Sequence, residues 1–174
     1  FDVQLKMLGE NGIEYIEPRF LLGKNIADLT ANEAHEVARK LSDCGIGVSS
    51  IGSPLGKIKL SDDFDAHLEK TRRGLEIANI LHTDKVRIFS FYLHEGKNRA
   101  ECREEVIDKL GRMLDLADAS SIKLCHENEA KIYGETADRC HDLVHKFKIK
   151  YIALTVVFER FARNFYQNSF VNGC

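Results

Sequence analysis

Apolar strand segments alternate with amphipathic helices along nearly the whole chain, and this pattern limits the possible folds more than any other feature. Five segments read as strands: Ile13–Glu17, Ile46–Ile51, Lys85–Phe91, Ile122–Glu127 and about 150–157. They begin roughly 30–40 residues apart, each pair separated by one helix, which is the βαβ unit repeated. Thr30-Ala-Asn-Glu33 is a capping box, and Ala34, Val37, Ala38 and Leu41 follow at helical spacing. Gly45 ends that helix. Other helices are expected from near Ser61–Asp62 to Leu81, from about Asn98 to Ser120 and over about 135–147, with a helix end at 2–10. The Lys85–Phe91 strand is apolar enough to be covered on both faces, as parallel strands are.

A parallel α/β chain of this kind is a doubly wound open sheet or a (β/α)8 barrel. The nucleotide-binding pattern GxGxxG follows no strand, and GxxxxGK[ST] is absent. Gly45-Ile-Gly47 precedes its strand, so the barrel is favoured. A full barrel typically needs about 200–250 residues or more. With 174 residues and five strands, the expectation is a partial (β/α)8 TIM barrel with outer helices.

Composition narrows the function classes. The chain is 44% hydrophobic and 30% charged, with a net charge of −2, as in an ordinary single globular domain. No basic face is implied, so nucleic acid is not a favoured partner. No apolar run approaches the roughly 20 residues that span a bilayer, and no signal peptide is visible. The five cysteines form no CxxC pair, which fits reduced thiols and a cytoplasmic setting.

Ligands of parallel α/β proteins bind at the carboxyl ends of the strands. Glu17 and Arg19 stand at the first such end, suited to sugar hydroxyls or a phosphate, or to a rim ion pair. At the second, Ser49, Ser50, Ser53 and Lys57 lie in a run whose small residues let a ligand approach the backbone. A turn is expected at Gly52-Ser-Pro54. At the third stand Arg87, Ser90, Tyr92 and His94; period two places Ser90 and Tyr92 on one side and Arg87 on the other. His94 reads as a solvated loop residue, and His35, His67, His82, His141 and His145 as surface residues.

The fourth end, Lys123-Leu-Cys-His-Glu-Asn-Glu129, is the richest in chemistry. Glu127 continues the face of Lys123 and Cys125, while Leu124, His126 and Asn128 take the other. Glu127 and Glu129 could both line a site, and Asn128 could bind substrate; the bland reading is a solvated acidic turn.

Ile-Glu-Pro-Arg at 16–19, Gly-Lys-Asn-Ile at 23–26, Ser-Ser-Ile-Gly-Ser-Pro-Leu-Gly-Lys at 49–57, Arg-Ile-Phe-Ser-Phe-Tyr at 87–92 and His-Glu-Asn-Glu at 126–129 together resemble the xylose-isomerase-like TIM-barrel family. The branch they most resemble is that of the sugar phosphate isomerases and epimerases. The resemblance covers about residues 1–155 and leaves 158–174 as a divergent tail rich in aromatic residues. It implies a divalent metal ion (Mn, Mg or Zn) held by a Glu on the fifth strand, an Asp or Glu on the sixth, a His on the seventh and a Glu on the eighth. Glu127 matches the fifth-strand Glu and doubles as the catalytic candidate, whereas Glu159 matches the sixth-strand position only with inserted residues. On this mapping the family's first strand precedes Phe1, and its seventh and eighth are missing. The chain therefore reads as truncated at both ends, with its metal lost or weakly held.

Two classes of function follow. The first is a metal-dependent isomerase or epimerase lineage, with Glu127 at the metal and Glu17, Arg19, Ser53, Lys57, Arg87, Ser90 and Asn128 toward a small sugar or sugar phosphate. The second is a non-catalytic barrel fragment or binding module, which would self-associate through open sheet edges. An endonuclease IV-type repair enzyme is disfavoured by the charge and by the lack of a His-rich cluster.

Overall fold

A computed structural model of the chain describes residues 1–147 and the backbone of the strand Ile152–Thr155. Glu159 and the tail from Phe158 lie outside the described residues. Helix α1 (Asp2–Glu10) leads into β1 (Tyr15–Ile16), a hairpin of β2 (Phe20–Leu21) and β3 (Lys24–Asn25), and α2 (Ala31–Asp43). Strands β4 (Gly47–Val48) and β5 (Ile51–Leu55) follow, then α3 (Phe64–Ile80), β6 (Lys85–Ile88), α4 (Arg99–Ala119), β7 (Lys123–Glu127), α5 (Ala137–Lys146) and β8 (Ile152–Thr155).

Strand β1 pairs in parallel with β4, and the order β5-β6-β7-β8 is parallel throughout. Because β4 runs on into β5, the strands lie side by side in chain order with no switch of direction. That is barrel topology, and the sheet stays open among the described residues.

Local chemistry explains the helices. The Thr30 side chain accepts from the Glu33 backbone N–H while Glu33 reaches back to Thr30, completing the capping box. Ala34, Val37 and Leu41 are the face of α2 that enters the core. Asn98 and Glu101 build a second capping box at the start of α4, and Asp63 caps α3. Ile88 and Leu124 are buried in the same core as Leu75, Val106 and Leu110 of the helices.

Two expectations change. The strand expected at Ile46–Ile51 divides at Ser49-Ser50, and the expected turn at Gly52-Ser-Pro54 is the middle of β5. The register against β6 shifts between Ile51 and Leu55. Glycine and proline are tolerated at such an irregularity, where regular ladder bonds are already lost. The β2–β3 hairpin carries no sequence warning, because its turn places Leu22 and Gly23 at φ 52° and 75° and leucine is not a turn residue.

Candidate functional site

Successive strand residues face opposite ways, so each strand end presents one residue to the helices and the next to the inner face. Arg87 and Cys125 are partners in register on the inner face, whereas Ile88 and His126 face the helix layer.

The inner face carries the charges. Arg87 Nη1 lies 3.0 Å from Glu17 Oε1 and 3.0 Å from Glu127 Oε2. Its Nη2 donates to the Gly52 carbonyl at 3.0 Å. The Arg87 side chain is 7% exposed, Glu127 15% and Glu17 36%, so the bridge runs from the interior outward. Arg87 Nε is buried with no partner among the described residues. Two residues along β6, Phe89 forms a platform: Lys57 Nζ lies 4.4 Å from its ring centroid and the Arg87 guanidinium carbon 5.3 Å. Lys57 also pairs with Glu129 Oε2 at 3.0 Å. The Arg19 stem packs against Gly52, and its guanidinium is exposed with no ion-pair partner among the described residues.

The loops after the strands are tied to one another. The Leu60 N–H donates to the Tyr92 carbonyl at 2.9 Å, and Tyr133 N–H to the Phe91 carbonyl at 3.1 Å. Phe91 has φ 63°, a strained conformation for an aromatic residue, held by burial against Phe64 and His67.

The helix side carries neutral, satisfied groups. His126 Nε2 lies 3.0 Å from Ser90 Oγ, which accepts the Gly134 N–H at 2.7 Å. Burial holds the His126 pKa down at about 4, so its imidazole is neutral. Cys140 donates to the Gly134 carbonyl at 3.2 Å, and burial pushes its thiol up to about 11, far from a reactive thiolate. His67 accepts the Gly56 N–H at 2.9 Å, and desolvation together with Lys70 lowers its pKa to about 4.

The expected site residues therefore divide. Glu17, Arg87 and Glu127 meet in one cluster, with Lys57 and Phe89 beside it. Ser90 is turned to the helix side and saturated by His126 and Gly134, so it does not line the inner face. Ser53 is fully buried; its hydroxyl donates to the Arg87 carbonyl and accepts the Leu55 N–H, which ties β5 to β6. Asn128 is buried with its Oδ1 unpaired among the described residues. His67 is a buried core residue and not a surface one, because Gly56 needs an acceptor there. His94 is held by Glu105 at 2.6 Å instead of lying free in solvent. Phe89 escaped the sequence reading, although period two from Arg87 places it on the same face.

Parallel strands in chain order with helices between them define part of a (β/α)8 barrel. The sequence matches the xylose isomerase-like TIM barrel family over residues 5–157, and the chain belongs to that family. No protein of curated function matches it. Among solved structures it resembles a xylose isomerase-like TIM barrel protein from Mycobacterium smegmatis in complex with magnesium (20% identity, TM-score 0.68, 87% of this chain and 54% of that one). It also resembles the probable 3-DHS dehydratase AsbF of Bacillus anthracis (22%, 0.70, 88% and 56%). A third is D-psicose 3-epimerase in the presence of D-fructose (17%, 0.65, 88% and 56%). These identities speak for the fold alone, and the chain spans about half the length of the structures it matches, 54–56%.

The family implies a divalent metal, and Glu127 is where its fit can be tested. Its carboxylate already accommodates a cation, the Arg87 guanidinium, so it suits one oxygen ligand. Among the described residues, no group of three or more His, Cys, Asp or Glu converges to complete such a site. Among them too, no helix is long and apolar enough to cross a membrane.

Proposed function

We propose that this chain belongs to a metal-dependent isomerase or epimerase of a small sugar or sugar phosphate. The observation that carries the reading is the position of Glu127: a carboxylate on the inner face at the end of β7, held by Arg87 beside Glu17. A bound divalent ion would polarise the substrate's carbonyl and hydroxyl oxygens. Glu127 would be one of its ligands, and Glu159 is the second carboxylate the proposal names. Proton removal beside the carbonyl then falls to a carboxylate, Glu127 or a partner. Lys57, over Phe89 beside the cluster, and Arg19, whose stem packs against Gly52, would supply positive charge for hydroxyl or phosphate oxygens. The family relative that is an epimerase in the presence of a ketose supports this substrate class.

The test is hydrogen exchange in D2O. The natural protein is incubated with a panel of ketoses and their phosphates, with Mn²⁺ or with EDTA. Deuterium entering at the carbon beside the carbonyl, lost in EDTA, supports the reading. Metal-dependent conversion of a sugar without deuterium entry keeps the isomerase and assigns it a hydride shift, whereas absence of both exchange and conversion across the panel, or exchange indifferent to EDTA, rejects the reading in favour of a non-catalytic binding module or another chemistry.

A further inference from the structure

We infer that the strand ends recognise an uncharged, hydroxyl-bearing part of the substrate, so that a free sugar is bound in preference to its phosphate ester. The inference rests on the sugar reading above and decides between its two substrate classes. It draws on the chain's own charges and on no metal ion.

The first observation is charge balance. Among the described residues at the cluster, the cations Arg19, Lys57 and Arg87 are matched by the carboxylates Glu17, Glu127 and Glu129. Two of these cations are already engaged. Arg87 Nη1 is shared between Glu17 and Glu127 at 3.0 Å each, and its Nη2 donates to the Gly52 carbonyl. Lys57 Nζ lies 3.0 Å from Glu129. Arg19 is exposed, and its stem meets Gly52 beside the Glu17 carboxylate. A phosphate dianion placed here approaches three carboxylates and brings only acceptors, so it offers them no hydrogen bond. A hydroxyl donates as well as accepts. A carboxylate has about four acceptor positions, and Arg87 approaches one oxygen of Glu17 and one of Glu127. Sugar hydroxyls can bond the same carboxylates without charge repulsion.

The second observation is that the helix N-termini after these strands carry the chain's own acidic and capping side chains. Phosphates bind readily at helix N-termini, where free N–H groups and the helix dipole attract them. Asp63 Oδ1 accepts the N–H groups of Asp65 and Ala66 at the start of α3. Thr30 with Glu33 closes α2, and Asn98 with Glu101 closes α4. Glu135 and Asp138 flank the start of α5. Carboxylates already stand where a phosphate would be attracted.

The measurement is sugar binding by isothermal titration calorimetry, in EDTA and again with Mn²⁺, for the natural protein and its Glu129→Gln variant. The ligands are D-xylulose, D-ribulose, D-fructose and D-psicose, each beside its terminal phosphate ester. Deuterium exchange and conversion are followed on the same samples. In wild type, a free sugar should bind about tenfold or more tightly than its own ester. Glu129→Gln removes one carboxylate and releases Lys57 from that pair, so the preference should narrow by about threefold or more. The narrowing should come from tighter binding of the ester, which the loss of a merely structural Glu129 would not produce. The wild-type ratio reports even if the variant fails to fold.

An ester that binds as tightly as its parent sugar in either buffer overturns the inference, as does a preference that Glu129→Gln leaves unchanged. If such an ester exchanges deuterium with Mn²⁺ and not in EDTA, the inference falls and the proposed function stands. If a free sugar binds selectively and is neither exchanged nor converted, the inference stands and the metal-dependent enzyme reading falls. If no sugar or ester binds, both fall.

Discussion

Glu127 and His126 are neighbours on one strand and live in different chemistries. Glu127 faces inward, shares a guanidinium with Glu17 and keeps contact with solvent. His126 faces the helices, is fully enclosed and is held neutral by burial beside Ser90 and Gly134. The same division recurs on β6, where Arg87 serves the inner face and Ile88 the core. The comparison teaches that residue type at a strand end says little until its face is known. A histidine, a serine and a cysteine stand within reach of one another on the helix side. They look like catalytic machinery, but they are a packed polar core with no access for substrate. The less suggestive arginine and two glutamates form the charged cluster, which grades from the buried Arg87 out to the partly exposed Glu17.

The largest effect expected from breaking this arrangement is at Gly134. A Cβ there would lie 2.4 Å from His126 Cε1 and 2.9 Å from Ser90 Oγ. Neither neighbour can move without giving up a buried hydrogen bond. Gly134→Ala should therefore cost about 3 kcal/mol or more in chemical denaturation. A loss under about 1 kcal/mol would show that the helix-side cluster is loosely packed and would blur the contrast.

A somewhat smaller effect should appear with pH. Burial holds the folded-state pKa of His126 at about 4, below the 6.5 of an ordinary imidazole, so the unfolded chain binds a proton that the folded chain refuses. The sign follows: stability is full above about pH 6.5, falls as pH drops toward 4, and loses nothing more from this group below that. The loss amounts to about 3 kcal/mol. His67, also near 4, acts in the same direction. Denaturation between pH 4.5 and 7.5 should give a shallower slope for His126→Gln than for wild type. Equal slopes would mean that His126 is solvated, contrary to its assigned face.

Much of this fold is legible in the sequence. The βαβ spacing gives the parallel order, because each helix must cross back over the sheet before the next strand can begin. Thr30 and Glu33 mark the start of α2 through backbone bonds that need no tertiary information. Strand alternation separates Arg87 from Ser90 and Glu127 from His126 before any coordinates are known. Ser53 and Ser90 were misread because nearness to a strand end was weighed more heavily than the face each presents. His67 is on the buried face of α3, one turn before Thr71 and two before Leu75, and its polar ring hides that position in the sequence; the Gly56 N–H that it accepts shows only in three dimensions. The pairing of Glu17 with Arg87, separated by 70 residues, is a tertiary fact of the same kind. β5 was missed because Gly52 and Pro54 announce a turn, and only the shifted register against β6 makes room for them in a strand.

The central claim is that the inner face acts and the helix face only holds. Its most direct test is to compare two neighbouring substitutions, Glu127→Gln and His126→Gln, in the natural protein. Each is measured for thermal midpoint and for metal-dependent deuterium exchange into a ketose that wild type processes, at a temperature where both variants are folded. The account predicts that Glu127→Gln loses at least about a hundredfold in rate with a nearly unchanged midpoint. It predicts that His126→Gln unfolds at a markedly lower temperature while its folded protein keeps a rate within a few fold of wild type. The reverse pattern, an active Glu127→Gln and a stable but inactive His126→Gln, would contradict it.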